Sequence, residues 1–456
     1  MSRLVNVLYD ISILGRAHLD ARSRTGIFRV VESVFSELIE CQDISLLPTS
    51  LHGTGGFWDY YASQLYLRDI NHIKALESFV DFYGKPIPLY TLRTWAQQYL
   101  IKDSQKHRSL VSRGLRYFIA NACKLFDVGF GVNHVGAPKQ RCGNTTISFD
   151  LNSVDVYHSP FLSLPDQRRL PVSIPRIITI YDLIPIIFPD LFTQSQLDLF
   201  RRSLHSINVN RDWVICISES TKRDLLGFFQ GKLEPSKVVV TPLAASKSFF
   251  HVKDIYLIRD TLINHGIPPN RPYVLSLCTL EPRKNLTTVI RAFGNLVKQH
   301  FDLNLNLVLV GIQGWKNRSI FEEISKDPTL KSRIFFAGFV PDQDLSAIYS
   351  GATCFVYPSL YEGFGLPPLE AMQCGVPVIT SNVSSLPEVV GDAGITVNPK
   401  DEDGLCQAIY RVVSDPSLGA SLAAKSLERA QQFSWSRCAE QTIELYTTIA
   451  AARQDR

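Results

Sequence analysis

No Cys-x-x-Cys pair occurs among the nine cysteines of the chain. An odd and scattered set of this kind excludes a disulfide framework and a zinc site of the usual ligand spacing, and it points to reduced thiols. An excess of one charge is lacking too. The 47 Lys and Arg against 43 Asp and Glu leave a formal net charge of +4, which argues against a dedicated nucleic-acid binder. No apolar run reaches bilayer length: the longest, IITIYDLIPIIF, is too short and contains Asp182 and Pro185. Near the N-terminus LVNVLYDISIL is interrupted by Asp10, and no small-residue cleavage site follows, so it reads as a buried strand rather than a targeting segment. The chain is therefore expected not to cross a membrane. No tandem repeat or low-complexity segment is present, and no Asp-x-Asp stands in a loop context suited to a metal ion.

What is present is long enough for two cores. At 456 residues, with 45% apolar and 20% charged content, two soluble globular domains are expected. Strand-like runs appear at Leu4 to Tyr9, 154–160 and 174–190; 213–226 reads as a strand, a Ser/Glu-rich turn and a helix, and 238–250 closes the alternation. Helical periodicity links them, as in SRTGIFRVVESVFSELIE, where Ile27, Val30, Val31, Val34, Phe35 and Leu38 share one face. Alternation of this kind implies a parallel, doubly wound sheet. A hinge is expected around 250–270, and residues 127–150 read as an insertion or long loop. Beyond the hinge the pattern restarts with YVLSLCTLEPRKNLTTVIRAF, LNLVLVGIQGW and RIFFAGFVPDQDLSAIYSGA.

The second half is organised around TCFVYPSLYEGFGLPPLEAMQCGVPVIT, residues 353–380. Thr353 to Val356 suits a buried parallel strand. A loop follows in which Gly363 and Gly365 permit close backbone approach to a ligand. Pro367 and Pro368 fit the first turn of a helix that can run only through Cys374, because Gly375 and Pro377 are stop signals. Val376 to Thr380 reads as the next strand. A Gly-rich loop feeding a helix N-terminus suits an anion. Glu362 and Glu370 frame it with seven residues between them, so both can line one pocket from different elements. Ahead of this stretch, Arg283 and Lys284 stand side by side before a helix starting near Asn285, as a diphosphate leaving group requires.

This string resembles the C-terminal nucleotide-sugar site of the family 4 glycosyltransferases, retaining enzymes of the GT-B fold, whose Glu-x7-Glu motif appears here as Glu362-GFGLPPL-Glu370. The resemblance implies an α/β fold of two facing Rossmann-like, doubly wound domains with a cleft between them. The expected domains are 1–252 on the acceptor side and 253–432 on the nucleotide-sugar side, with 433–456 a final helix returning to the first. It also implies the roles of the residues. Glu362 contacts donor-sugar hydroxyls and Glu370 the ribose, while the loop amides of Gly363, Phe364, Gly365 and Leu366 face the sugar and diphosphate. Lys284 and Arg283 take the leaving charge, and the loop around Gly338 to Val340 contacts the base. Gly26, in TGIFR, matches part of the family's first loop, with a plain turn as the alternative. The family's TIHDL reads TIYDL here, so Tyr181 stands in place of a histidine and Asp182 remains. His158 is expected at a strand end facing the cleft, with a structural role as the alternative.

The function implied is a metal-independent, retaining transfer of a hexose from a nucleoside-diphosphate sugar, with no cofactor, to a glycan or lipid-linked acceptor. EPRKN with PSLYEGFGLPPLEAM resembles bacterial mannosyltransferases of surface-polysaccharide assembly, which use GDP-mannose. A glycoside hydrolase using Glu362 and Glu370 would leave the phosphate loop unexplained. A phosphorylase of related fold would act without a nucleotide, and a non-catalytic nucleotide-sugar binder would bind without transfer. The expected location is the cytoplasm, with peripheral contact at the inner face of the plasma membrane.

That contact is assigned to residues 99–126, where Lys102, Lys106, Arg108, Arg113, Arg116 and Lys124 interleave with Leu110, Leu115, Phe118 and Ile119; a solvated surface helix is the alternative. Neutralising Lys106, Arg108, Arg113 and Arg116 is expected to weaken binding to anionic vesicles in sedimentation assays, as is added salt. Wild type that ignores such vesicles at low salt would refute the assignment.

Overall fold

The computed structural model describes residues 3–19, 26–51, 56–82, 139–142, 145–312, 318–325 and 327–454. The basic stretch 99–126 lies outside them. Among the described residues, fifteen strands form two sheets. The first contains β1 (Val5–Asp10), β2 (Ile44–Thr49), β3 (Val80–Asp81), β4 (Lys139–Cys142), β5 (Thr145–Ser148), β6 (Val156–Ser159), β7 (Arg176–Ile180), β8 (Trp213–Cys216) and β9 (Val238–Val240). The second contains β10 (Tyr273–Leu277), β11 (Asn306–Val310), β12 (Ile334–Gly338), β13 (Cys354–Tyr357), β14 (Val378–Ser381) and β15 (Gly394–Val397).

The order of the second sheet is β12-β11-β10-β13-β14-β15, all parallel. Its central strands read as near-continuous apolar runs because both faces are covered, and β10, β11 and β13 are almost wholly buried. The chain leaves β10 toward one edge and returns to β13 beside it, so the strand order reverses between them. A crevice opens at the carboxyl ends of strands at such a reversal, and ligands of doubly wound sheets bind there. The first sheet repeats the device. Its order is β5-β4-β3-β2-β1-β6-β7-β8-β9, with the reversal between β1 and β6 and, among the described residues, antiparallel pairing only at β3-β4-β5. Two facing doubly wound sheets thus form the expected GT-B architecture.

Several local expectations need correction. Residues 139–150 of the expected insertion include the β4–β5 hairpin, which extends the sheet edge. The run 174–190 is a strand only to Ile180; Pro185 suits a helix first turn, and a short helix, Ile184–Ile187, follows. The expected hinge holds a helix, Ile255–Asn264, capped by Asp254, whose carboxylate accepts from the Tyr256 and Leu257 amides. Asp342 and Asp344 open the helix Asp342–Ser350 and are paired separately, with Arg29 at 2.8 Å and His265 at 2.9 Å.

Two structural devices position the first domain's side of the cleft. The last helix, Trp435–Gln454, packs on the helix Gly26–Glu40 and against β1 and β6, so the chain's final segment covers the first sheet. At the base of β7 the Arg176 guanidinium clasps Asp212 through two bonds, Nε to Oδ1 at 2.9 Å and Nη2 to Oδ2 at 2.5 Å. The pair is buried, with 7% and 0% side-chain exposure, and the Asn208 amide also donates to Asp212. Removing one partner leaves an uncompensated buried charge. Asp212→Ala is therefore expected to cost about 3–5 kcal/mol in chemical denaturation. A cost below about 1 kcal/mol, as for surface pairs, would show that water reaches Arg176.

Candidate active site

Both loops at the β10/β13 reversal carry charge. After β10 the chain makes a 3-10 turn, Pro282–Lys284, then Asn285 in the left-handed region at φ 58°. Asn285 ties the turn down: its Nδ2 donates to the carbonyls of Pro358 and Pro399 at 3.1 and 2.6 Å. Arg283 and Lys284 then face the loop after β13. Lys284 Nζ lies 2.6 Å from Glu362 Oε1, and Arg283 Nη1 lies 2.8 Å from Oε2. Tyr357 Oη and Ser359 Oγ donate to the same Oε1 at 2.9 and 2.6 Å. Burial alone would push this carboxyl up, but Lys284 and Arg283 together bring it down to about 2. Glu362 is thus a fixed anion with both oxygens engaged.

The loop itself is held by serines. Ser384 Oγ accepts from the Glu362 amide, and Ser385 Oγ bonds the carbonyls of Glu362 and Phe364 at 3.0 and 2.6 Å. Gly363 and Gly365 are required here for different reasons. A Cβ on Gly363 would fall 2.3 Å from the Tyr181 carbonyl oxygen of the facing domain, whereas Gly365 has φ +125°. The helix Leu366–Gln373 begins immediately, with Pro367 and Pro368 in its first turn. The amides of Gly365 and Leu366 remain as its leading donors, because proline has none.

Glu370 sits one helical turn on. Tyr349 Oη donates to its Oε2 at 3.0 Å, yet no cation contacts it among the described residues. Burial therefore raises its carboxyl to about 7, against the pull of the Tyr349 bond. One carboxylate of the pair is locked ionised and the other titrates near neutrality.

The remaining expected residues divide. Lys284, Arg283, Glu362, Gly363, Phe364, Gly365 and Leu366 converge on the reversal point. The Phe364 ring does not line it: that ring is buried against Phe433, leaving only the backbone to face a ligand. Gly338 has φ +66° and its carbonyl accepts from the Gly311 amide, while the Val340 side chain is 4% exposed and belongs to the core. Beside it Phe339 is 71% exposed, which no sequence argument singled out. From the first domain, Asp182 approaches Gly363 closely, and burial raises its carboxyl although the Ile184 amide donates to it. Tyr181 is half-buried against Phe161, and burial raises its phenol well above the ordinary range.

His158 is a correction. It does not face the cleft: Nδ1 meets Tyr446 Oη at 2.5 Å and Nε2 meets Thr179 Oγ1 at 2.8 Å. Burial lowers its pKa to about 3, so it stays neutral and fastens the returning helix. Gly26 is the exposed first residue of its helix, and a Cβ there would touch nothing, so no close approach requires glycine. The turn before it lies outside the described residues. Sequence reasoning missed Tyr357, Ser359, Ser384 and Ser385, the inner frame of Glu362. The strand-end Tyr and the Ser-rich loop preceding a Pro were the available signals. No cluster of three metal-ligating side chains is present among the described residues.

Comparisons with known proteins bear on the family and the fold. The profile of a family described as "Glycosyl transferases group 1" matches residues 259–432. The chain is 33% identical over 298 residues to the O-antigen chain mannosyltransferase B of Escherichia coli, covering 64% of this chain and 74% of that protein. It is 30% identical over 249 residues to the serotype-specific mannosyltransferase WbdA of Escherichia coli, of which it spans 30%. Among solved structures, sucrose-phosphate synthase of Thermosynechococcus elongatus superposes with TM-score 0.60 at 20% identity, covering 99% of this chain and 100% of that one. WaaG, a glycosyltransferase involved in lipopolysaccharide biosynthesis, superposes with TM-score 0.56 at 13% identity, covering 98% and 100%. These likenesses in structure concern the fold.

The Glu370 carboxyl provides a test in the free protein. It titrates near 4.5 when unfolded and near 7 when folded, so its contribution to stability is fully present below pH 4.5 and lost as pH rises through 7. Glu370→Gln is expected to lack that slope, and its melting temperature relative to wild type should climb between pH 4.5 and 7. Parallel melting curves across that interval would show Glu370 to be ionised throughout.

Proposed function

The chain belongs to the group 1 glycosyl transferases, and on that premise we propose that it moves a mannosyl residue from GDP-mannose onto a glycan or lipid-linked acceptor in surface-polysaccharide assembly. The observation that carries this reading is the joining of Lys284 and Arg283 to Glu362 at the strand-order reversal, where a sugar diphosphate would lie. The choice of mannose rests on the likeness to O-antigen chain mannosyltransferase B.

In the proposed reaction the bond between sugar C1 and the phosphate oxygen breaks as the acceptor oxygen attacks C1 from the same face. The acceptor proton passes to the departing phosphate, so configuration is retained and a nucleoside diphosphate leaves. Charge builds on the diphosphate as the bond breaks. The side chains of Lys284 and Arg283 and the amides at the head of the helix Leu366–Gln373 are in position to meet it, and the proposal requires no metal ion. Glu362 has three tasks compatible with its fixed charge: it orients both cations, accepts from sugar hydroxyls and stabilises positive charge at C1. With both oxygens bonded and its pKa near 2, it is unsuited to be a general acid. The hydrolase reading gains one observation, the separation of the two carboxyl pKa values. It also needs the ionised member free to attack C1 or to activate water, and Glu362 is bonded at both oxygens. Peripheral membrane contact through 99–126 belongs to the same proposal.

Thermal-shift measurements against GDP, UDP, ADP and dTDP sugars test the donor, because a ligand of the native state raises the melting point; GDP-mannose is expected to give the largest shift. Lys284→Ala is expected to lower kcat about a hundred- to thousand-fold, the usual loss when one such donor is removed. Glu370→Ala is expected mainly to raise the donor KM, since a ribose contact is equal in ground and transition states. Steady-state kinetics at saturating acceptor separate the two. Wild-type kcat in Lys284→Ala would remove the support for leaving-group stabilisation.

A further inference from the structure

The loop that faces the donor is held from two sides. Of its three consecutive carbonyls, those of Glu362 and Phe364 are bonded by Ser385 of their own domain. The middle one, of Gly363, is bonded only from the facing domain among the described residues. Ser218 Oγ, at the turn after β8, donates to it at 2.7 Å, and Thr221 Oγ1 lies 3.3 Å from it and 3.2 Å from the Tyr181 carbonyl. Both hydroxyl residues are buried, at 2% and 1% exposure. The turn that carries them is gripped in return: the Glu388 carboxylate of the second domain accepts from the Glu219 and Ser220 amides, both at 2.7 Å, at the start of the helix Glu219–Phe228. Tyr361 Oη adds a bond to Asp224 Oδ2 at 2.5 Å.

We infer that Ser218 and Thr221 are positioning residues for the transfer reaction, orienting the peptide between Gly363 and Phe364 from across the cleft. A trans peptide points its C=O and N–H in opposite directions. Fixing the Gly363 carbonyl toward Ser218 therefore aims the Phe364 amide away from the first domain and fixes it as a donor within the glycine loop. The second domain holds the carbonyls on either side but, among the described residues, has nothing on this one. Closure of the cleft and completion of the donor-facing amide set are then a single event, with Glu388 as the clasp that seats Ser218 and Thr221. Glycine is needed at 363 because the Tyr181 backbone must come within contact for these bonds to form. The inference rests on the proposed reaction for its catalytic consequence, not for the contact itself.

Amide hydrogen exchange of residues 361–366 reads the contact without any substrate. Ser218→Ala with Thr221→Val is expected to speed exchange there and to lower kcat about tenfold to hundredfold, the scale of a small misplacement of a reacting group. The donor Kd is expected to change less than threefold. Thr221→Ser, which keeps the hydroxyl, is expected to retain most of the kcat that Thr221→Val loses. Glu388→Gln, at a half-buried surface position, is expected to shift exchange and kcat in the same direction by less, and serves if the double variant does not fold. Unchanged exchange, wild-type kcat in the variants, or equal losses in Thr221→Ser and Thr221→Val would each overturn the inference. Wild type that turns over no sugar nucleotide overturns the functional reading instead, and the exchange result still decides the contact.

Discussion

Two cations and one carboxylate share a nearly dry volume at the reversal point of the second sheet, and the arrangement works only because each answers the others. Glu362, Lys284 and Arg283 have side-chain exposures of 11%, 12% and 15%. Any one of them left alone at that depth would lose its hydration without compensation, a cost of several kcal/mol. Counting Glu281 beside Arg283, the cluster is neutral, so what it offers is two cations fixed in place in a site of low local dielectric, where each acts more strongly than it would in water. The rest of the site is built around keeping them in place. Tyr357 and Ser359 add donors at Glu362 Oε1 while Oε2 keeps only Arg283, Glu281 accepts from Arg283 at 2.8 Å, and Asn285 locks the turn from which both cations project.

The same requirement explains how closely the domains meet. A loop whose glycine lies in contact with the Tyr181 backbone cannot be held by one domain alone, and the contact leaves no room for a β-carbon. The facing domain answers with hydroxyls and the free amides of a helix end, and the second domain returns a carboxylate to those amides. Bonds of this type satisfy groups that water would otherwise serve, so they contribute modestly to net stability and strongly to geometry. The cleft is held by polar contacts on one side, while the final helix anchors the other through Tyr446 on His158 and Arg453 on the Val154 carbonyl.

The histidine illustrates how a chemically capable residue becomes structural. Its two nitrogens meet two hydroxyls in a buried setting, and desolvation keeps the ring neutral across physiological pH. The Tyr9 hydroxyl nearby is buried without a partner among the described residues, in a cavity of about 20 Å³ that also meets Thr179, Tyr181 and Thr442. Its lining mixes the aliphatic side chains of Val30, Val31, Val34, Ile215, Ile217 and Leu243 with these hydroxyls, and its size fits about one water rather than a substrate.

Local rules made much of this legible in one dimension. Apolar runs bounded by turns gave the parallel strands, the Gly and Pro pairs bounded the helix after the glycine loop to within a residue, and Glu362, Glu370, Arg283 and Lys284 stood out as charges beside a helix start. Those features depend on neighbours within a few positions, where backbone sterics, capping and side-chain period act. Tertiary structure decided which charges meet. Lys284 and Glu362 are 78 positions apart, and Ser218 and Gly363 are 145 apart. No local period reports such pairs; they arise because two strand-order reversals bring distant loops to the same crevice. Protonation was decided at that level as well, since burial raises both glutamates of the motif and only Glu362 has cations in contact to reverse it, while Glu370 has the Tyr349 phenol.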